Sequence, residues 1–229
     1  KFCVPDFQWY GVFPFNEQKG VDAVIDSFWM PFLSAWSNIQ RRQDIFLAGT
    51  SEIDDTDWVI SMGNFMGLLD KDWLGFPASR KISFLRYADF NCVKNGKIVR
   101  SSFFCDIISV MNQLGINLLP PETGTSFIYP GPRTHDGLLF DQQNHIESKK
   151  TLDLVNKMIG DLSNLNKTGN DCPPPDLLRK TWHDNMVWYG PSGIGASYTI
   201  PRYQEQHQYP FRKGLRDKVF KGHICRFAE

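Results

Sequence analysis

Apolar positions between residues 20 and 37 recur with a helical rhythm. Val21, Val24, Ile25, Phe28, Phe32 and Trp36 fall on one face at spacings of three and four. Pro31 lies inside this pattern and predicts a kink or stop, because proline has no N–H and its ring crowds the preceding turn. The rhythm then shortens. Residues 41–50, centred on Ile45-Phe46-Leu47-Ala48, read as a strand, and residues 58–69 as another, with Gly63 and Gly67 as expected bulge points. The strongest local signal is a hairpin, in which residues 81–93 and 97–106 flank Asn95-Gly96, the pair that a two-residue type I′ turn favours. That turn pairs Lys94 with Lys97 and brings Asp89 opposite Ser102. Residues 107–114 read as a short helix or the end of the last strand.

The pattern breaks at residues 119–137, a Pro- and Gly-rich stretch with few periodic apolar positions, which reads as a linker that drapes over a surface through Phe127, Ile128 and Tyr129. Helical periodicity resumes with Ser148 as the expected cap and Leu152, Val155, Met158, Ile159 and Leu162 as a stripe. A second helix is expected from Pro175 or Asp176 through Trp182. A Gly-rich loop at 191–197, a helix at 203–216 and a strand at 219–227 follow. Gly190 to Gly195 has the glycine content of a phosphate loop but lacks its lysine.

Trp9-Tyr10-Gly11 recurs as Trp188-Tyr189-Gly190, and Pro31-Phe32 recurs as Pro210-Phe211 at the same offset of 179. A period of this length is the size of a domain rather than of a solenoid repeat. The reading is a tandem duplication with both copies incomplete: residues 1–117 as a first domain lacking its N-terminal helices, 118–147 as the linker, and 148–229 as the N-terminal part of a second domain. The chain therefore reads as a portion of a longer protein. Helices before and within a run of antiparallel strands predict an α+β fold, with a curved sheet covered by helices. The helices at 149–164 and 176–184 are expected to cover the sheet of the first copy.

Composition narrows the function classes. With 25 basic and 25 acidic residues the net charge is zero, so the basic excess that marks nucleic-acid binding is missing. No apolar run reaches the roughly 18 residues of a membrane span. The five cysteines are scattered without a CxxC pair, which suits reduced thiols in a cytoplasmic protein, and the five histidines lack metal-ligand spacing. Aromatic residues make up 14% of the chain, including 18 Phe and 7 Trp, enough to fill a core or to line a pocket for a flat apolar ligand.

Certain residues carry a family resemblance: Trp9-Tyr10-Gly11 with Gly20-Val21, Trp58-Val59 with Gly63-Asn64-Phe65-Met66-Gly67, Leu74-Gly75-Phe76-Pro77, and Asn95-Gly96-Lys97-Ile98 leading to Asp106 and Gln113-Leu114-Gly115. In order and spacing they resemble the SnoaL-like polyketide cyclases, members of the nuclear-transport-factor-like, cystatin-like α+β cone. The resemblance spans about residues 8–116, with a weaker version over 148–229. It implies a conical interior, no metal or organic cofactor, and an acid on the last strand that catalyses an intramolecular aldol closure. A carboxylate in an apolar pocket suits that task, because desolvation moves its pKa towards the working pH.

The sequence departs from the family at the decisive position. The family's acid falls at Phe103, which transfers no proton, and its second polar position falls at Asp89. Asp89 and Asp106 are the catalytic candidates, with Asp106 better suited to capping a helix or tying the strand end. Trp9, Trp29, Trp58, Phe65, Tyr87 and Phe103 are the substrate-binding candidates, or alternatively a filled core. Returning an acid to position 103 is expected to raise cyclase-type activity. Two readings compete: a cofactor-independent cyclase or isomerase acting on a small apolar molecule, and a non-catalytic small-molecule-binding or dimerisation module. A homodimer, or a pseudo-dimer of the two repeats, is the assembly that the duplication suggests.

Overall fold

The computed structural model describes residues 1–215 and residue 228, so the strand expected at 219–227 lies outside the described residues. The chain divides into two units. The first comprises Lys1–Leu118 with Pro130–Gln142, and the second Leu119–Tyr129 with Gln143–Glu229. The stretch expected as a linker is thus shared between the units rather than standing apart from both.

The first unit is an α+β fold built on a curved six-stranded sheet. Its strands are β1 (Cys3–Gly11), β2 (Glu17–Lys19), β3 (Trp36–Thr50), β4 (Asp57–Leu69), β5 (Ile82–Lys94) and β6 (Lys97–Cys105), arranged β2-β1-β6-β5-β4-β3. All neighbours are antiparallel except β1 and β6, which run parallel. Register shifts in the β3–β4 pairing fall between Ser37 and Gln40 and between Gln43 and Ile45, while β4 pairs with β5 without a break. The extra residues therefore belong to β3. Gly63 pairs with Gln43 beside one of them, and a Cβ there would collide with the Arg42 carbonyl.

One helical run covers the sheet's inner face: α1 (Val21–Val24), a π-helical turn (Ile25–Trp29) and α2 (Met30–Ala35). Pro31 neither stops nor breaks this run. The wide turn just before it opens the backbone where the proline ring would otherwise crowd a carbonyl. The same turn, being longer than 3.6 residues, keeps the four-residue spacing of Val24, Phe28 and Phe32 on one face. Phe28 and Phe32 are fully buried and stack with ring centroids 5.6 Å apart. They anchor a core with Trp9, Phe65, Leu69, Leu85, Tyr87 and Phe103.

At the hairpin, Asn95 and Gly96 take φ of 51° and 71°, as a type I′ turn requires, and Lys94 pairs with Lys97. The remaining register differs from expectation. A bulge between Cys92 and Val93 in the pairing sets Asp89 opposite Phe103, not Ser102. Residues 107–113 form helix α3 (Ile107–Gln113), capped by Asp106, whose side chain accepts from the Ser109 N–H at 3.0 Å. Residues 130–142 return to the edge of β3, where the Phe46 N–H donates to the Gly137 carbonyl and the Leu139 N–H to the Phe46 carbonyl.

In the second unit α4 (His145–Lys167) is capped by Asn144, ahead of the expected cap at Ser148. Then follow α5 (Asp176–Arg179), the short strands β7 (Val187–Trp188) and β8 (Ser197–Tyr198), and a helical run of α6 (Ile200–Tyr203), a π-helical turn (Gln204–Gln208) and α7 (Tyr209–Gly214). Leu178, Ile200 and Tyr203 form a small core joined by Leu162, Trp182, Met186 and Trp188. The expected surface contact of 127–129 is made within this unit, where Tyr129 is buried, stacks on Tyr189 and donates its hydroxyl to the Gly190 carbonyl.

Local geometry repeats between the units at the sequence offset. Trp9 pairs with Gln18 as Trp188 pairs with Ser197. The π-helical turns Ile25–Trp29 and Gln204–Gln208 sit at the same offset, as do the positive-φ residues before each run, Gly20 and Thr199. In each WYG the tryptophan ring folds over the glycine, where a Cβ would penetrate it. Phe28 packs on Trp9 in one unit, and His207 stacks on Trp188 with centroids 4.1 Å apart in the other.

Candidate functional site

Side-chain alternation on β5 sends Tyr87 and Asp89 to the inner face of the first sheet. From the flanking strands Arg41, Gln43, Ser61 and Ser101 join them, and together the six make one chain of polar contacts. Gln43 Nε2 donates to Ser61 Oγ at 2.9 Å, and Ser61 Oγ lies 3.1 Å from Tyr87 Oη. Arg41 Nε donates to Tyr87 Oη at 2.9 Å, and its Nη2 reaches Asp89 Oδ2 at 3.2 Å. Ser101 Oγ donates to Asp89 Oδ1 at 3.2 Å. The chain runs from burial to solvent: Tyr87 is 1% exposed, the Asp89 side chain 15% and the Arg41 side chain 41%.

The side chains packed against this network are aromatic. The Arg41 guanidinium lies over the Tyr87 ring at 4.8 Å and the Phe65 ring at 5.9 Å. Phe65 packs on Tyr87 at 4.6 Å and on Trp29 at 6.0 Å, while Phe103 contacts Trp9, Phe28, Trp29 and Tyr87. Of the six aromatic candidates, Trp9, Trp29, Phe65, Tyr87 and Phe103 therefore form one continuous cluster. They touch each other as core side chains do, with Trp29 only partly buried.

Trp58 does not join them. Alternation along β4 turns it to the other face of the sheet, where its Nε1 donates to Thr56 Oγ1 and Arg100 lies over its ring at 5.0 Å. Asp106 is likewise separate from Asp89. It caps α3 and pairs with Arg86 at 2.7 Å, and Arg86 leaves β5 on the face opposite Tyr87 and Asp89. Asp89 also lacks the purely apolar surroundings expected of it, because Arg41 and Ser101 hold both of its oxygens. For Cys105, across from Tyr87, burial, aided by the Asp106 charge, pushes the thiol up to about 12, which disfavours the thiolate.

Sequence reasoning missed Arg41, Gln43, Ser61 and Ser101. A signal existed in the two-residue spacing of Arg41 and Gln43, which puts both on one strand face, and in a serine within the apolar run 58–69. Among the described residues no three His, Cys, Asp or Glu side chains converge as a metal site would require, and no described helix is long and apolar enough to cross a membrane.

No protein-family model matches the chain, and no curated protein matches it. Several solved structures resemble part of it. A candidate SnoaL-like polyketide cyclase from Jannaschia sp. is 17% identical over 52% of this chain and 76% of its own, with a TM-score of 0.39. IdmH, a candidate polyketide cyclase from Streptomyces antibioticus, is 12% identical over 50% of this chain and 82% of its own, with a TM-score of 0.42. AclR, a candidate hydroxylase from Streptomyces galilaeus, is 16% identical over 53% and 73%, with a TM-score of 0.43. At these scores none of them assigns chemistry to this chain.

Proposed function

We propose that the first unit is a SnoaL-like, cyclase-type domain that takes a small, flat, largely apolar carbonyl compound and acts on it by cofactor-independent acid–base chemistry. Asp89 carries this reading. The resemblance places the family's acid at position 103, and Asp89 is the direct cross-strand partner of Phe103. Directly paired residues hold their Cβ atoms roughly 5 Å apart, so the acid is displaced by one strand rather than lost. Asp89 takes a proton from the carbon beside a carbonyl, and the electron pair of that C–H bond passes to the carbonyl oxygen. The enolate carbon attacks a second carbonyl of the same molecule, and the proton held by Asp89 returns to the new alkoxide. The repeated pairing, π-helical turn and cap geometry at the offset of 179 support reading the second unit as a duplicated copy of the same domain.

The test is turnover of a linear aromatic polyketide ester, followed by the absorbance change on ring closure. Asp89→Asn is expected to lower the rate by about a hundredfold or more, the usual weight of a positioned general base. An unchanged rate overturns the assignment. A second reading, binding without turnover, is favoured by Phe103 and by the close ring packing around it. It stands if wild type binds such compounds, seen as quenching of tryptophan fluorescence, yet never converts them.

A further inference from the structure

Asp89 accounts for proton transfer but not for which molecules reach it. Arg41 presents the most open polar group of the network. Its guanidinium is braced on two aromatic faces, Tyr87 and Phe65, and by hydrogen bonds from Nε and Nη2. Nη1 makes no hydrogen bond to the described residues, so one edge of a rigid fork remains available to a ligand. Both Asp89 oxygens are already held, and Tyr87 is buried behind them. An incoming molecule therefore meets the guanidinium first. The partly buried Trp29 packs on the same Phe65 ring that the guanidinium covers.

We propose that Arg41 selects the ligand by binding an anionic oxygen, of a carboxylate or an enolate, at one end of a flat molecule whose rings lie against Trp29. This rests on the reading that the first unit binds such molecules. A guanidinium suits the task because its planar fork matches two-oxygen anions and stays charged at any relevant pH. Binding an anion there also sets it against Asp89 for the same cation. The exchange loosens the carboxylate from Arg41 while Ser101 still holds it, beside the ligand. When the ligand is a ketone, the same guanidinium receives the oxygen that gains charge as Asp89 removes the proton, so Arg41 acts on the reacting atoms themselves.

Three probes sharing one ring system test this: naphthoate, its neutral methyl ester and an enolisable naphthyl β-diketone. Affinities are read from tryptophan quenching on wild type, Arg41→Gln and Arg41→Lys, with circular dichroism confirming that each variant is folded. Wild type is expected to prefer naphthoate or the diketone over the ester by about tenfold or more, the weight of a charge-assisted hydrogen bond. The tighter of the two identifies carboxylate or enolate as the natural partner. Arg41→Gln should erase the preference, and Arg41→Lys should keep part of it. Equal binding of charged and neutral probes, or a preference that survives Arg41→Gln, overturns the proposal but leaves small-molecule binding intact. Failure of all three probes to bind wild type overturns both.

Discussion

Asp106 and Asp89 are both carboxylates beside an arginine, yet they are held for different ends. Asp106 uses one oxygen to cap α3 and the other to pair with Arg86, two partners fixed by the backbone around it. Removing the cap costs about 1 kcal/mol, and losing a largely buried ion pair adds to that. Asp106→Ala should therefore lower urea stability by about 1–3 kcal/mol, Asp106→Asn by less, and neither should alter ligand affinity. A binding defect larger than the stability loss would return Asp106 to the site. Phe103 is a related case. Its alignment with the acid of the SnoaL-like cyclases made an installed acid attractive, but its ring is 2% exposed and touches four other aromatic rings. Phe103→Asp removes that packing and buries a second carboxylate beside the first. A loss of about 3–5 kcal/mol is expected, measurable as a collapsed denaturation midpoint, rather than a gain of activity.

At the scale of elements, period and turn chemistry carried most of the information. The 4-residue spacing from Val24 to Phe32 announced a helix, but only the π-helical turn explains why that face does not drift around the axis. A proline alone does not reveal which way the backbone will yield. Asn95-Gly96 announced the hairpin, and both residues take the φ that the turn demands. The bulge at Cys92–Val93 was not legible, because nothing in a run of alternating residues marks where an extra one enters the ladder. That single residue moved Asp89 from Ser102 to Phe103. Arg41 was missed for a similar reason: its partners are 46 and 48 residues away, beyond any local pattern. The turn itself is testable. A Cβ on Gly96 would meet nothing within 4 Å, so Gly96→Ala probes backbone conformation alone. It should cost about 1–2 kcal/mol for placing an L-residue at positive φ, with binding intact. No loss of stability would mean that the turn relaxes to another type.

At the scale of the whole molecule, two cores of unequal size share one chain. The first is a broad aromatic cluster, and the second gathers around Leu178, Ile200 and Tyr203. The offset of 179 sets His207 against Phe28, so the second unit stacks an imidazole on Trp188 where the first packs a benzene ring on Trp9. Burial among Trp188, Tyr203 and Phe211 lowers the pKa of His207 below its ordinary 6.5. A histidine so placed is neutral in the folded unit at a pH where the unfolded chain has already bound a proton. Acidification through 6.5 therefore favours unfolding, and the penalty grows until the folded pKa is reached, below which it stays constant. Amide hydrogen exchange separates the units. Protection of Ile200–Gly214 should fall as the pH is lowered through 6.5, while that of β4 and β5 should change less. His207→Phe should restore the ring found at the matching position and flatten the pH dependence of the second unit. If Ile200–Gly214 keeps the same slope in that variant, His207 is not the group responsible.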